Sequence, residues 1–250
     1  MGGFQFEYPK VSNVLSSLSS TGKFTRLHPR GDVPVPTFNH GSWSFDGKIY
    51  FFAGIKKEAD NEKRKHMVAM NVDPTLFYNN DLHCLDLATN SYFSIPTTGN
   101  APTPRYDFGQ AQIGEKVFIH GGSCNSQPLN GFHWLNLHTF QWTGIQNTGF
   151  HEGIRSHTLI PISEKDIVLV GGDNGTRISN KVKKFRDYAY DYGWTELGPL
   201  ADEVMENAGL LGHSAIHVPN EDGVFILCFG GYVDKPPKKH PNVMALLKIY

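Results

Sequence analysis

Cysteine is scarce in this chain: Cys84, Cys124 and Cys228 are the only three in 250 residues. That number and spacing exclude a disulfide framework or a zinc motif, so reduced thiols are expected. No apolar stretch approaches the ~20 residues that span a bilayer. The first residues, MGGFQFEYPKVSNVL, lack the basic start and continuous apolar core of a signal peptide. They also lack the Ser/Thr of a myristoylation pattern. A net charge of −1 provides no global field for nucleic acid or an anionic membrane. These absences lead us to expect a cytoplasmic protein, with the nucleus also compatible, that binds neither nucleic acid nor membrane.

Turn formers, by contrast, are abundant. The 26 Gly and 15 Pro cut the chain into short pieces, and 39% hydrophobic residues suffice for a core. Four pieces share one shape, an apolar run closing on small residues: KIYFFAG from Lys48, KVFIHGG from Lys116, DIVLVGG from Asp166 and VFILCFGG from Val224. Such runs are too short for helices and suit strands buried on both faces. Their closing glycines lie 68, 50 and 59 residues apart, against about 50 for one known class of repeat. Before each run a strand leads into a short connection, such as Asp46-Gly47 or Gly114-Glu115. After it come a loop, a third strand with a polar start, and a fourth strand carrying Tyr92-Phe93, Trp142 or Trp194. Four antiparallel strands per repeat make a propeller blade, and a lone blade cannot cover both of its faces.

The double glycine after the second strand and the tryptophan of the fourth resemble the kelch family. Tyr78–Ile95 (YNNDLHCLDLATNSYFSI) looks like that family's third and fourth strands almost residue for residue. Ala53 departs from the pattern at one first glycine, and Tyr92-Phe93 at one tryptophan. The resemblance implies an all-β, kelch-type β-propeller of about four blades, each of four antiparallel strands, incomplete or open. Residues 1–250 then form a single domain: a partial blade at 4–27, blades at about 36–95, 105–145 and 155–197, and a partial blade at 210–250. In the first partial blade, Phe24 takes the tryptophan place. Phe24–Leu27 could alternatively complete the last blade and close a four-bladed ring. An open arc would leave apolar blade faces uncovered and would favour self-association.

Strand alternation puts the loops that precede each blade and those that follow its glycines on one face, and the short connections on the other. Long loops on a rigid scaffold are where binding sites are built. Ile55–Asn79 reads as a flexible insertion on that face. Arg105 and Arg155 are placed at equivalent points just before a blade's first strand. In kelch proteins arginines there often receive acidic side chains or a C-terminal carboxylate, which the guanidinium fork matches. The other reading is that each arginine holds backbone carbonyls or a neighbouring blade. Tyr106, Ser156, Ser123, Asn125, Asp173 and Asn174 are the expected rim.

The 12 histidines include no HExxH pair, and His133/His138 and His213/His217 read as solvated or rim positions. Lys63-Arg64-Lys65 sits among acids, and the KVKKFR run from Lys181 alternates as a half-wet strand must. The function expected is a protein-interaction module, as an adaptor or the substrate receptor of a ubiquitin ligase, with no cofactor and no metal. The alternative is a small-ligand-binding or catalytic kelch protein, oxidase- or epimerase-like, using the central channel.

Overall fold

A computed structural model describes residues 13–57, 76–188, 191–199, 209–233 and 244–249. Among them every regular element is a strand. The chain divides into two compact units, Met1–Ile95 and Pro96–Tyr250.

The first unit holds one complete blade, the meander Gly41–Phe45, Lys48–Lys57, Leu76–Asp86 and Ser91–Ile95. Asp46 and Gly47 both have positive φ, as a two-residue hairpin turn with the strands' own twist requires. A separate hairpin pairs Leu15–Leu18 with Phe24–Leu27. Its Phe24, placed by pattern in the tryptophan position, is 71% exposed. The second unit contains two four-stranded blades and a three-stranded sheet. Gly109–Ile113, Lys116–His120, Phe132–Asn136 and Gln141–Ile145 form the first. Thr158–Pro161, Asp166–Val170, Lys181–Tyr188 and Asp191–Pro199 form the second. Ser214–Asn220, Gly223–Phe229 and Met244–Ile249 form the third.

Burial in the second unit explains the near-continuous apolar runs. Ile167 and Leu169 enter a core with Ala111, Phe118 and Phe132 of the preceding blade, while Val168 and Val170 enter another with Ile226 and Cys228 of the following sheet. One strand thus serves two interfaces by its two-residue period. In the KVKKFR strand the same alternation sends Val182 to one core and Phe185, three residues on, to the other, while a bulge at Leu197 interrupts the pairing with the fourth strand.

Two expectations need correction. The segment Ile55–Asn79 is not all insertion: Ile55, Lys56 and Lys57 pair with Tyr78, Phe77 and Leu76, so both ends are strand. The ladder resumes there after an irregularity between Phe52 and Gly54; residues 58–75 lie outside the described residues. The expected loop before the following blade, Pro96–Asp107, is likewise not only loop. Thr98–Gly99 adds a parallel edge to Gln141–Trp142, as Arg30–Gly31 does to Ser91–Tyr92. A Cβ on Gly31 or Gly99 would lie 2.3 Å from the carbonyl oxygen of Tyr92 or Trp142. The same contact at both aromatics shows that Tyr92, not the 45% exposed Phe93, holds the tryptophan place.

The closing glycines have one backbone conformation throughout. Gly121/Gly122, Gly171/Gly172 and Gly230/Gly231 have φ of 63/93, 66/101 and 70/87°. Ala53/Gly54 adopts 60/93°, so alanine accepts a left-handed conformation there at a cost of about 1–2 kcal/mol. Gly121 and Gly171 are held more tightly, because a Cβ on either would lie 2.2 Å from the carbonyl oxygen of Ile154 or Leu210, at the start of the next blade. Gly122 and Gly172 donate their N–H to those same oxygens, at 2.8 and 2.7 Å. We expect Gly171→Ala to cost about 3 kcal/mol or more in urea unfolding. Gly114→Ala, also at positive φ but with nothing nearby, should cost about 1 kcal/mol. Equal losses would refute the close-approach account.

Candidate functional site

Immediately before each blade the chain turns a corner on one residue with positive φ: Asn39, Asp107, Ser156 and Gly212, at 54, 59, 55 and 63°. Asn, Asp and Gly tolerate this region best. In the second unit the corners are bonded in series. Ser156 N–H donates to the Asp107 carbonyl at 2.9 Å, and Gly212 N–H to the Ser156 carbonyl at 2.8 Å. The Ser156 hydroxyl also bonds the Asp107 carboxylate.

These corners set the register, and they correct the placement of the two arginines. Arg155 directly precedes its corner, whereas Arg105 precedes Asp107 by two positions. The counterpart of Arg155 is Tyr106, and that of Arg105 is Ile154. Matching bridges agree: Tyr106 pairs with Ser123 as Arg155 pairs with Asp173. A one-residue offset in extended chain turns the side chain to the opposite side.

The consequences are large. Arg105 is 2% exposed. Its guanidinium donates to the carbonyls of Thr103 (3.0 Å), Gly121 (2.8 Å) and Gly131 (3.4 Å), and to the Thr103 hydroxyl (3.3 Å). Burial lowers its pKa to about 10. This geometry is that of an arginine holding backbone carbonyls. Arg155 instead stays partly exposed, with Nε and Nη2 donating to Asp173 Oδ2 at 2.9 and 2.7 Å and Nη1 to the Ser126 carbonyl at 3.3 Å.

The loops after the double glycines are small ordered hairpins. Ser123–Cys124 pairs with Gln127–Pro128 across Asn125 and Ser126, both at positive φ. Asp173 bridges Ile178, and Asp173 Oδ1 accepts the Gly175 N–H at 2.8 Å. Asn174 Oδ1 caps the Thr176 and Arg177 N–H groups, while its amide donates to the Glu152 carboxylate. The structure thus gathers Tyr106, Arg155, Ser156, Asp173, Asn174 and the exposed Asn125 around these hairpins. Ser123 is buried beneath the first hairpin. The series of corners was not anticipated from the sequence. Its available signal is Arg/Thr-Gly (30–31, 98–99, 148–149) followed seven or eight residues later by Asn, Asp or Ser at the corner.

Relatives agree with the repeat. The model of the KLHDC2/KLHL20/DRC7 Kelch-repeats domain matches residues 1–172. The chain belongs to the kelch-repeat family. It is 31% identical over 156 residues to Kelch domain-containing protein 2 of Bos taurus, covering 59% of this chain and 38% of that protein. Kelch domain-containing protein 1 of Homo sapiens is 30% identical over 149 residues, covering 57% of this chain and 37% of that protein. Kelch domain-containing protein 10 of Xenopus laevis matches at 25% over 191 residues, covering 72% and 41%. The chain therefore spans about two fifths of the length of these kelch relatives. Its described residues form three four-stranded blades and one three-stranded sheet, consistent with an incomplete kelch propeller.

His213, read as a solvated or rim position, turns out to sit inside, as do two other histidines. His213 is 8% exposed, His157 5% and His120 0%. His120 Nδ1 lies 3.3 Å from His157 Nε2, and the His120 ring stacks on Phe150 at 5.0 Å. Burial pushes His157 down to about 3 and His213 to about 4; the His213 charge adds to the shift of His157. Burial beside Arg105 brings His133 to about 4, and burial holds His120 well below its ordinary value. All four stay neutral in the fold, whereas in the unfolded chain they protonate near 6.5. Their contribution is complete above pH 6.5 and is lost as pH falls toward 4. The urea midpoint should drop across that window, and His213→Asn should flatten the profile; parallel profiles would contradict the assignment.

Proposed function

We propose that this kelch chain binds a protein or peptide partner through the face that carries its post-glycine hairpins and corners. The supporting observation is the arrangement around Arg155, where a partly exposed guanidinium lies against two ordered hairpins. A partner's acidic side chain or C-terminal carboxylate would share that guanidinium with Asp173, while Asn125, Asn174, Tyr106 and Ser156 supply neutral polar contacts at the rim. Arg105 supports the same face from beneath, by fixing the carbonyls at Gly121 and Gly131. An adaptor role, including that of substrate receptor in a ubiquitin ligase, fits this reading, and catalysis is no part of it. The buried, free thiols of Cys84 and Cys228 suit a reducing compartment such as the cytoplasm or nucleus.

Self-association is a second reading, favoured by the last sheet. Its inner side feeds a core through Ile226 and Cys228, while Ile216 and Phe229 share the outer side at 59 and 63% exposure.

Selection from a peptide library with free C-termini tests the first reading. Enriched peptides should be acidic or depend on the terminal carboxylate, and Arg155→Ala should weaken them about tenfold with the fold intact, somewhat less than a fully buried pair would lose. Enrichment indifferent to Arg155→Ala and to C-terminal amidation would overturn the assignment. Arg105→Ala should instead lower the melting temperature.

A further inference from the structure

The first unit contains a cavity of about 410 Å³ that lies apart from the hairpins described above and has no role in that reading. Its floor is one face of the blade. Phe51 and His83 are directly opposite each other on neighbouring strands, and Tyr92 stands on the next strand. The segment Asp32–Val35 forms a wall, and Asn13–Leu15 also lines the space.

Three aromatic rings line this cavity at mutual angles. His40 and Phe51 have centroids 5.8 Å apart at 59°, and Phe51 and Tyr92 are 6.0 Å apart at 55°. Two carboxylates, Asp32 and Asp81, accompany one lysine. Lys56 Nζ meets Asp81 Oδ2 at 3.2 Å, whereas Asp32 Oδ2 accepts only the neutral Ser94 N–H, at 3.3 Å, among the described residues. Burial lowers the pKa of His83, which also lies in the field of all three charges. Its Nδ1 is buried without a hydrogen-bond partner among the described residues.

Each kind of occupant meets this lining differently. An anion would face two carboxylates against one lysine. A purely apolar group would cover the rings but take water from the Asp32 carboxylate without compensation, which is costly. A cation bearing N–H donors satisfies the Asp32 charge and the negative faces of the aromatic rings. The volume falls within the range of ligand pockets.

We propose that this cavity binds a cationic nitrogen group, the side chain of an arginine or lysine in a peptide, with Asp32 as counter-ion and the Phe51 and Tyr92 rings facing it. The site makes the first unit a reader of basic peptide residues, independent of the acid-seeking arginine of the second.

Calorimetric titration of the full chain with Ac-Gly-Arg-Gly-NH2 and Ac-Gly-Lys-Gly-NH2 tests it, against the norleucine tripeptide and agmatine. We expect saturable binding of at least one basic peptide and none of the norleucine peptide. Asp32→Asn, which keeps an acceptor for the Ser94 N–H, should weaken binding about tenfold, and Phe51→Leu several-fold. Arg155→Ala should leave it unchanged, which separates this site from the hairpin face. Equal binding of the norleucine peptide, an unaffected and folded Asp32→Asn variant, or no saturation by either basic peptide would overturn the proposal. Agmatine binding as tightly as the peptides would overturn the peptide source.

Discussion

The structure of the second unit depends on a contact between two pieces of backbone. Where a blade's second strand ends, the next blade's first carbonyl comes so close that no side chain fits between them, and the same oxygen receives an N–H at 2.7–2.8 Å. That approach demands glycine at positions 121 and 171, while the same dihedrals recur at Gly230, where nothing lies within 4 Å. Inter-blade burial then becomes efficient, because strands such as Asp166–Val170 are pressed between neighbours on both sides. The aromatic cluster of Phe118, Phe132, Phe150, Phe185 and Trp194 fills one of those interfaces, with Phe132 and Phe185 meeting edge to face at 4.7 Å.

The corners carry this backbone order outward to the surface. Because Asp107, Ser156 and Gly212 are bonded in series, the residue before each corner is aimed toward the post-glycine hairpins and the one before that toward the interior. Arg155 and Arg105 have similar sequence surroundings yet opposite roles for this reason. One lies at the surface in a charge-assisted pair with Asp173; the other is buried among carbonyls, where its charge is stabilised by oriented dipoles without a counter-ion.

Much of the fold was legible in the sequence because its causes are local. Apolar runs ending in Gly-Gly, Asp-Gly turns and fourth-strand aromatics each answer to a requirement of one strand or one turn. The kelch assignment rested on their order, and Ala53 did not disturb it, since alanine can adopt the same φ. What escaped depends on register between distant segments. The offset of Arg105 from Arg155 is a single residue, and only the positions of the corners reveal it. His213 was misread because its burial comes from packing between blades, not from its neighbours in sequence. The parallel edge at Thr98–Gly99 was hidden because two residues carry no periodicity, although the glycine itself was the clue. The aromatic and acidic cavity of the first unit joins residues from Asp32 to Tyr92 that no short motif connects.

The blade junction also has a direction. One blade contributes the paired glycines with their N–H, and its successor contributes the carbonyl two residues before its corner, so the two sides of a blade are chemically unlike. A blade cannot meet a copy of its own face through this contact, and two-fold pairing by it is excluded. Assembly through it is head to tail. Such an arrangement closes only if the rotation from blade to blade divides the full circle evenly, and otherwise it continues as a helix. The number of blades in a finished ring is therefore a matter of rotation per junction.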